Sequence, residues 1–469
     1  MKRIISAVLV VAMLLASVLT LSSCGLFDKA PKKETYDVPE AGYDGSAVTI
    51  KFWHSMGQKN QAVLNDYIAE FNKIYPNITI EHTAMGDYDG VRDGVKTALT
   101  AGNEPHIAYV YPDHVALYNI AKAVVPLDNF IEHPTLGFTD AELANFVKGY
   151  YDEGAVYDEA GTMYTLPMSK STEVLYYNKT FFEKNNLTVP TTWAQMEQLC
   201  KDILAIDPDC VPLGYDSEAN WFISMTEQYE SGYTSLDEDE HFIFDNDQNK
   251  AFVKMFRDWH QKGYVTTEEI YGSYTSGLFT ATGDNQKCYM VIGSTGGASY
   301  QTPPTQDTAD GAVPLFETGI TFPPAVSEAS RKYISQGPSL CMFKKDNVQE
   351  VVASWLFVKF LTSNEEFQAA FSRATGYAPV IKSVSENEIY KKWLNEGNGY
   401  TNLAALAVKQ AIAQNDYYFV SPAFNGSSTA RDQVGKLMQD ALVYTGSDVD
   451  AKIAQLFKDA IDECEYAAD

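Results

Sequence analysis

Val48-Thr49-Ile50-Lys51-Phe52-Trp53 begins the stretch that decides the fold. It is a β-branched and aromatic run, which reads as a strand. Residues 61–74 follow, with Val63, Leu64, Tyr67, Ile68, Phe71 and Ile74 at helical spacing, and Pro76-Asn77 stops that helix. Ile78-Thr79-Ile80 is a second strand, 91–99 a second helix and Ile107-Ala108-Tyr109-Val110 a third strand. Strand and helix in alternation predict an α/β fold, with parallel strands and right-handed crossovers. Ligands of such sheets sit beyond the carboxyl ends of the strands. That singles out Trp53, His54, Tyr88 with the loop before it, Tyr111 and Asp113 as candidate contacts.

A second set of elements starts at Val174-Leu175-Tyr176-Tyr177. The spacing predicts helices over 192–206, 250–262, 348–361, 365–372, 403–414, 429–443 and 449–464, with Asp245 and Ser363 as N-caps. Cys288-Tyr289-Met290-Val291-Ile292 is a strand ending in Gly293-Ser294-Thr295-Gly296-Gly297. The 469 residues make room for two or three domains. With 62 acidic against 35 basic residues the net charge is -27, which repels phosphate backbones and anionic membrane surfaces and excludes general nucleic-acid binding. Hydrophobic residues at 45% exclude wholesale disorder.

Lys2 and Arg3 precede an uncharged, apolar segment, 4–19, and then Leu21-Ser22-Ser23-Cys24. Charge, apolar core and small residues in that order describe a secretory signal over 1–23. The alternative is a transmembrane anchor, since the run is near spanning length. Leu21-Ser22-Ser23-Cys24 resembles the lipobox of bacterial lipoproteins. The resemblance implies cleavage before Cys24, a diacylglyceryl group on its thiol and anchoring to a bacterial cell membrane on the extracytoplasmic side. Residues 24–45 then read as a flexible tether of about 25 Å mean reach. Beyond Cys24 there are five cysteines and no Cys-x-x-Cys. Cys200 and Cys210 either form a local disulfide or, like the rest, stay as buried thiols.

Several stretches together resemble the sugar-type extracellular solute-binding proteins of ABC importers, the family 1 binding proteins. They are 49–56, Leu166-Pro167-Met168, Leu175-Tyr176-Tyr177-Asn178-Lys179, Pro190-Thr191-Thr192-Trp193, Tyr289-Met290-Val291-Ile292-Gly293 and 375–380. The resemblance implies a periplasmic-binding-protein-like fold of two α/β lobes, joined by crossing segments around a ligand cleft. It places one lobe at 46–170 plus 294–345 and the other at 173–290 plus 346–469. The crossings fall near Ser171-Thr172, Ile292-Gly293 and 343–345. It also implies a monomer that needs no cofactor, is not an enzyme, and hands its solute to permease subunits in the membrane.

Phe52-Trp53-His54-Ser55-Met56 is most similar to the glycerol-3-phosphate and glycerophosphodiester binders of this family. Tyr88, Ser171, Ser294, Gly337 and Tyr377 match contact positions of that subgroup. Two positions depart. Pro112, with Asp113 next, stands where the subgroup has an acidic residue. Phe424-Asn425-Gly426 stands where it has a phosphate-binding arginine, and Arg431 follows several residues later. Losing a bidentate guanidinium removes the strongest anion clamp. The expected ligand is therefore a neutral sugar or oligosaccharide, with glycerol-3-phosphate or a glycerophosphodiester as the alternative.

Aromatic residues make up 13% of the chain, and aromatic faces with Asp, Asn, Ser and Arg suit the C–H faces and hydroxyls of sugars. Trp193, Trp259, Trp355 and Trp393 lie in helical patterns and read as core. Trp53, at a strand end, and Trp221, in a loop-like stretch, are either ligand contacts or core. Ser294 and Thr295 sit in a glycine-rich stretch that lacks the Lys of a P-loop, which leaves close backbone approach, free N–H donors or an ordinary loop. Asp245-Asn246-Asp247-Gln248-Asn249 starts like a calcium loop, but Lys250 and Phe256 stand where Gly and Glu are needed, so no metal site is assigned. The acidic run 237–240 reads as a solvated turn. No nucleophile elbow, Walker A or zinc-hydrolase motif is present. A tethered carbohydrate-active hydrolase remains the rival of another class, because paired carboxylates can lie far apart in sequence.

Overall fold

In the first strand, β1 (Val48–His54), Val48, Ile50, Phe52 and His54 point inward while Thr49 and Lys51 face solvent. A computed structural model describes residues 31–237, 240–283, 285–309 and 311–468. The signal segment, Cys24, the start of the tether, and Glu238 and Asp239 of the acidic run lie outside them. Residues 31–34 belong to a separate unit and carry no regular element; the body runs from Thr35 to Asp469.

Helix α1 (Gln58–Ile74) buries Leu64, Ile68 and Phe71. It returns the chain to β2 (Ile78–Ala84), which pairs with β1 in parallel from Val48↔Ile78 to His54↔Ala84. Helix α2 (Tyr88–Ala101) starts at Asp87, whose side chain accepts the Gly90 N–H at 2.7 Å, and stops at Gly102 with φ 68°. It leads to β3 (Ile107–Val110), parallel to β1 and fully buried, and then α3 (Pro112–Asn119), with Pro at the first helical position. The alternation read from the sequence is thus what forms.

The second lobe begins after the short β4 (Leu166–Pro167). It holds β5 (Glu173–Asn178), α4 (Trp193–Ile206), β6 (Leu213–Tyr215), α5 (Glu218–Tyr229), α6 (Asp247–Gln261), β7 (Val265–Thr267), β8 (Met290–Ser294) and β9 (Thr318–Thr321). Its sheet runs β9-β5-β8-β6-β7. The chain then passes through β10 (Tyr333–Ile334) back to the first sheet as β11 (Ser339–Met342). That sheet has the order β2-β1-β3-β11-β4. Helices α7 (Val348–Ser363) and α8 (Glu365–Thr375) follow, then α9 (Leu403–Ala413), β12 (Tyr418–Phe419) paired with β10, α10 (Ser427–Val443) and α11 (Val449–Ala468).

These pairings correct the lobe boundaries. Segment 294–321 stays with the second lobe, because β9 pairs with β5 along Thr318↔Asn178 to Thr321↔Leu175. Ile292 and Gly293 are no crossing: they lie inside β8, paired with Leu175 and Val174. Residues 343–345 are no crossing either. Val351, Trp355, Phe357 and Leu361 of α7 share one core with Ile50, Phe52 and Ile107, so 346–375 belongs to the first lobe. Helices α10 and α11 pack in the second-lobe core through Val434, Leu437, Leu456 and Phe457.

Other expectations shift locally. Asn246 and Asn364, rather than Asp245 and Ser363, cap their helices, because their side-chain oxygens reach the N–H groups of Asn249 (3.0 Å) and Phe367 (2.8 Å). The later tether is packed rather than free: Tyr36 stacks on Phe130 at 5.9 Å, and Gln349 bonds Gly42 and Asp44. Cys200, Cys210, Cys288, Cys341 and Cys464 are unpaired and buried. Trp193, Trp259 and Trp355 are core, and Trp393 is half-buried.

Three segments carry the chain between lobes, and they meet at Lys170. Ser171 and Gln336 exchange two backbone hydrogen bonds of 2.9 Å, and Ala378 donates to the Lys170 carbonyl at 2.6 Å. The Lys170 ammonium, fully buried, donates to the Glu153 carboxylate and to the Gly337 carbonyl at 2.8 Å. Ser335 and Ser339 complete the carboxylate's shell at 3.2 and 3.3 Å. Gly337 has φ 88°, and a Cβ there would stand 2.4 Å from the Ser169 carbonyl, so only glycine fits. Removing one partner of a buried pair leaves an uncompensated charge. Lys170→Met should therefore cost about 3–5 kcal/mol in urea unfolding, and the double variant Lys170→Met/Glu153→Leu should recover most of it.

Candidate ligand-binding cleft

A cavity of about 230 Å³ lies between the lobes. The first lobe contributes the starts of α2 (Tyr88, Asp89, Arg92) and α3 (Tyr111, Asp113, His114), both just beyond strand ends. The second contributes Ile223 of α5, Tyr233, and the first turns of α10 with Ser427, Ser428, Arg431 and Asp432. Ser335 and Gln336 of the crossing and Ser421 close the back.

The tyrosines form a wall. Tyr88 packs edge-on to Tyr111 with ring centroids 4.8 Å apart, and its hydroxyl lies 3.3 Å from that of Tyr377. The Gly337 backbone lies close to the Tyr111 hydroxyl. Burial, reinforced by the neighbouring phenols, pushes the Tyr88 and Tyr111 hydroxyls well above their usual range, so both stay neutral hydrogen-bonding groups.

Charge alternates across the gap. Arg92 bonds Asp89 at 3.0 Å and Asp93 at 2.9 Å, and it is also drawn to Asp432 on the opposite lobe. Burial, together with Asp113 and Asp89 and against the pull of Arg92, raises the Asp432 carboxyl. His114 sits 4.0 Å from Asp113, and burial holds its imidazole below the ordinary value. Arg431 donates to the Asn220 side-chain oxygen. Among the described residues, His114 Nδ1, the Tyr233 hydroxyl and Ser421 Oγ are buried without a protein partner, and all three residues line the cavity. A polar solute would satisfy such atoms.

Of the residues expected from the sequence, Tyr88, Tyr111, Asp113 and Arg431 line this cavity. Tyr377 and Gly337 stand directly behind, on Tyr88 and Tyr111. Ser171 belongs to the crossing, and Thr295 of the second lobe packs on it, its Oγ1 accepting the Thr172 N–H at 3.3 Å. Ser294 turns onto its own loop and accepts the Gly296 N–H at 3.1 Å. Asn425 donates to the Ala468 carbonyl at 2.8 Å, which ties it to the last helix. Trp53 is half-buried against the Val91 and Val95 cluster beneath α2.

Trp221 is a correction. Its stretch is helix α5, and the ring is fully buried, stacked on Tyr215 at 4.8 Å and packed on Phe256 at 4.1 Å. It fills the core of the second lobe and does not line this cavity. Arg92 and Asp432 were missed although signals existed: Arg92 is one helical turn after Tyr88, and Asp432 adjoins Arg431. Tyr233 and Ser421 had no local signal.

His54 is a correction as well. It is fully buried, accepts the Met56 N–H on Nδ1 at 3.1 Å and donates from Nε2 to His82 Nδ1 at 2.9 Å; His82 in turn reaches Asn65 at 2.9 Å. Burial first, then His82, pushes its pKa down to about 4. The folded state thus resists the proton that the unfolded chain takes up near pH 6.5, so stability is lost as pH falls from there towards 4. Between pH 7 and 5 the parent should lose about 2 kcal/mol relative to His54→Gln, read from paired urea titrations.

A family model described as bacterial extracellular solute-binding protein matches residues 66–396. The chain is 24% identical over 360 residues to the sn-glycerol-3-phosphate-binding periplasmic protein UgpB of Escherichia coli (strain K12), covering 72% of this chain and 75% of that protein. Among solved structures it is similar to UgpB from Mycobacterium tuberculosis in complex with glycerophosphocholine. The TM-score is 0.70 at 19% identity, over 90% of this chain and 99% of that one. The sugar-binding protein MalE from Xanthomonas citri gives 0.69 at 18% identity, over 89% and 98%. At these identities the structural likeness speaks to the two-lobed fold.

Proposed function

The chain belongs to the bacterial extracellular solute-binding protein family, and on that premise we propose that it captures a carbohydrate of mono- to disaccharide size and hands it, unchanged, to an ABC permease. The observation that carries this reading is the set of unpartnered buried polar atoms on His114, Tyr233 and Ser421, in a cavity walled by tyrosine faces. Ring faces take C–H surfaces, while Asp113, Arg431 and the orphaned atoms take hydroxyls. A solute that touches both lobes favours the closed form by its extra contacts there, which is sufficient to drive closure. No bond of the solute is made or broken, and the protein acts as a monomer.

A second reading is a glycerophosphodiester. It is favoured by Arg431, just past the first turn of the cleft-facing start of α10, whose N-cap Gly426 offers no side-chain cap. An uncapped helix start with a nearby guanidinium suits one anionic group. Arg431 among the cavity lining supports this reading despite the departure noted in the sequence. The UgpB relatives support this reading, and MalE supports the first.

A thermal-shift and calorimetric screen with maltose, glucose, sn-glycerol 3-phosphate and glycerophosphocholine decides between them. A bound solute raises the melting temperature by mass action. The expected result is stabilisation by a neutral sugar that is recovered intact, with Arg431→Ala weakening it by about tenfold. Stabilisation by phosphodiester alone, lost by more than about a hundredfold in Arg431→Ala, selects the second reading. Hydrolysis of the sugar, or no response to any of the four, overturns the proposal.

We further propose that Cys24 carries the lipid that holds the protein to the membrane; among the described residues no helix is long and apolar enough to cross one. Palmitate labelling should mark the parent and fractionate it with membranes. Cys24→Ala should be unlabelled and released.

A further inference from the structure

One carboxylate on the cavity wall, that of Asp113, accepts no hydrogen bond from the protein among the described residues. Neither guanidinium of the wall serves it. Arg92 bonds Asp89 and Asp93, and Arg431 bonds the neutral side chain of Asn220. The Glu153 carboxylate, by contrast, is met by Lys170, Ser335 and Ser339. The base beside Asp113 is His114, whose Nε2 stands 4.0 Å away, beyond hydrogen-bond reach. Burial keeps that imidazole neutral. Asp113 lies in the first turn of α3, so the helix start favours its charge yet occupies neither oxygen.

The open groups nearby can accept as well. Asp113 draws the His114 proton to Nε2, which leaves a lone pair on Nδ1. That Nδ1 and the Tyr233 hydroxyl are buried without a partner, in residues only 5% exposed, and Ser421 Oγ is a third such atom on the same wall.

We propose that the solute carries a primary ammonium group and that Asp113 receives it. An ammonium has three donors and no acceptor, which matches a carboxylate set among unpartnered acceptors. A sugar hydroxyl can donate one hydrogen bond, but it leaves the charge of Asp113 uncompensated once the closing lobes expel water. The tyrosine wall adds attraction for a cation, since aromatic faces are negative. Asp432, from the facing lobe, brings a second carboxylate to the same gap. A bare metal ion fits less well, because among the described residues no three metal-ligating side chains converge.

This rests on the solute-binding reading above and adds the charge of the solute to it. An amino sugar and the ethanolamine headgroup of a glycerophosphodiester share this chemistry. Two matched pairs tell them apart: glucosamine against glucose, and glycerophosphoethanolamine against glycerophosphoglycerol. Each is titrated calorimetrically into the full mature chain at pH 6.5, where the amine is charged. In one pair the amine should bind the parent about tenfold tighter than its neutral counterpart, the worth of a charge-assisted hydrogen bond. Asp113→Asn should bring the two members of that pair to within about twofold. A neutral member that binds as tightly as its amine, or a preference unchanged in Asp113→Asn, overturns the proposal and leaves the solute-binding reading in place. If none of the four binds, that reading fails by itself, and methylammonium chloride decides the cation site. The His114 Cε1–H NMR signal, assigned with His114→Gln, should then move saturably with methylammonium in the parent. It should move neither with sodium chloride at equal ionic strength nor with methylammonium in Asp113→Asn. A signal that moves equally in parent and variant, or in neither, overturns the proposal.

Discussion

The buried contact of Lys170 with Glu153 and the Gly337 carbonyl is the constraint on which the rest of the molecule depends. One residue, Lys170, touches all three segments that pass between the lobes. It bonds Gly337 through its side chain and Ala378 through its backbone, within the segment that Ser171 continues. The carboxylate that neutralises it also lines the cavity. The hinge and the binding site therefore share a residue. A buried charge pair is a poor source of net stability against an apolar replacement, but it is directional, and here direction is what three crossing strands need.

The cleft follows from that arrangement. The first-lobe sheet presents its strand ends to the gap, and helix starts line it from both sides. Carboxylates from the two lobes, Asp89 and Asp113 facing Asp432, oppose closure by themselves. Arg92 lies between them and relieves the repulsion. Arg431 enters from the far lobe, held by Asn220, and is open to a solute. A closed form built on balanced opposing charges leaves solute contacts room to tip the equilibrium. Neutral tyrosine hydroxyls supply contacts that do not disturb this balance.

The outline was legible in the sequence because its signals are local. Alternation in 48–54, the apolar stripe of α1 and the stop at Pro76 act within a few residues, and the fold confirms them. Tyr88, Tyr111 and Asp113 were legible for the same reason: they follow strands, and strand ends carry the sites of α/β sheets. Trp221 was misread because its helix is buried nearly all round, and such a helix shows no amphipathic stripe. His54 was misread because strand-end position does not say whether a side chain turns to the cleft or to the core. The lobe boundaries failed at 294–321 and 346–375, where a strand and two helices join the lobe that sequence order alone did not suggest.

By itself the amino-acid sequence determined the elements, the acidic exterior and the α/β class, since each depends on residue spacing or on sums of charge. Only the tertiary structure decided which lobe each late segment joins, and that Arg431, held by Asn220, reaches the cavity far from the residues it faces in sequence. Those facts depend on contacts between positions hundreds of residues apart, and no local pattern encodes such distances. They arise when buried surface and paired charge select one packing from many.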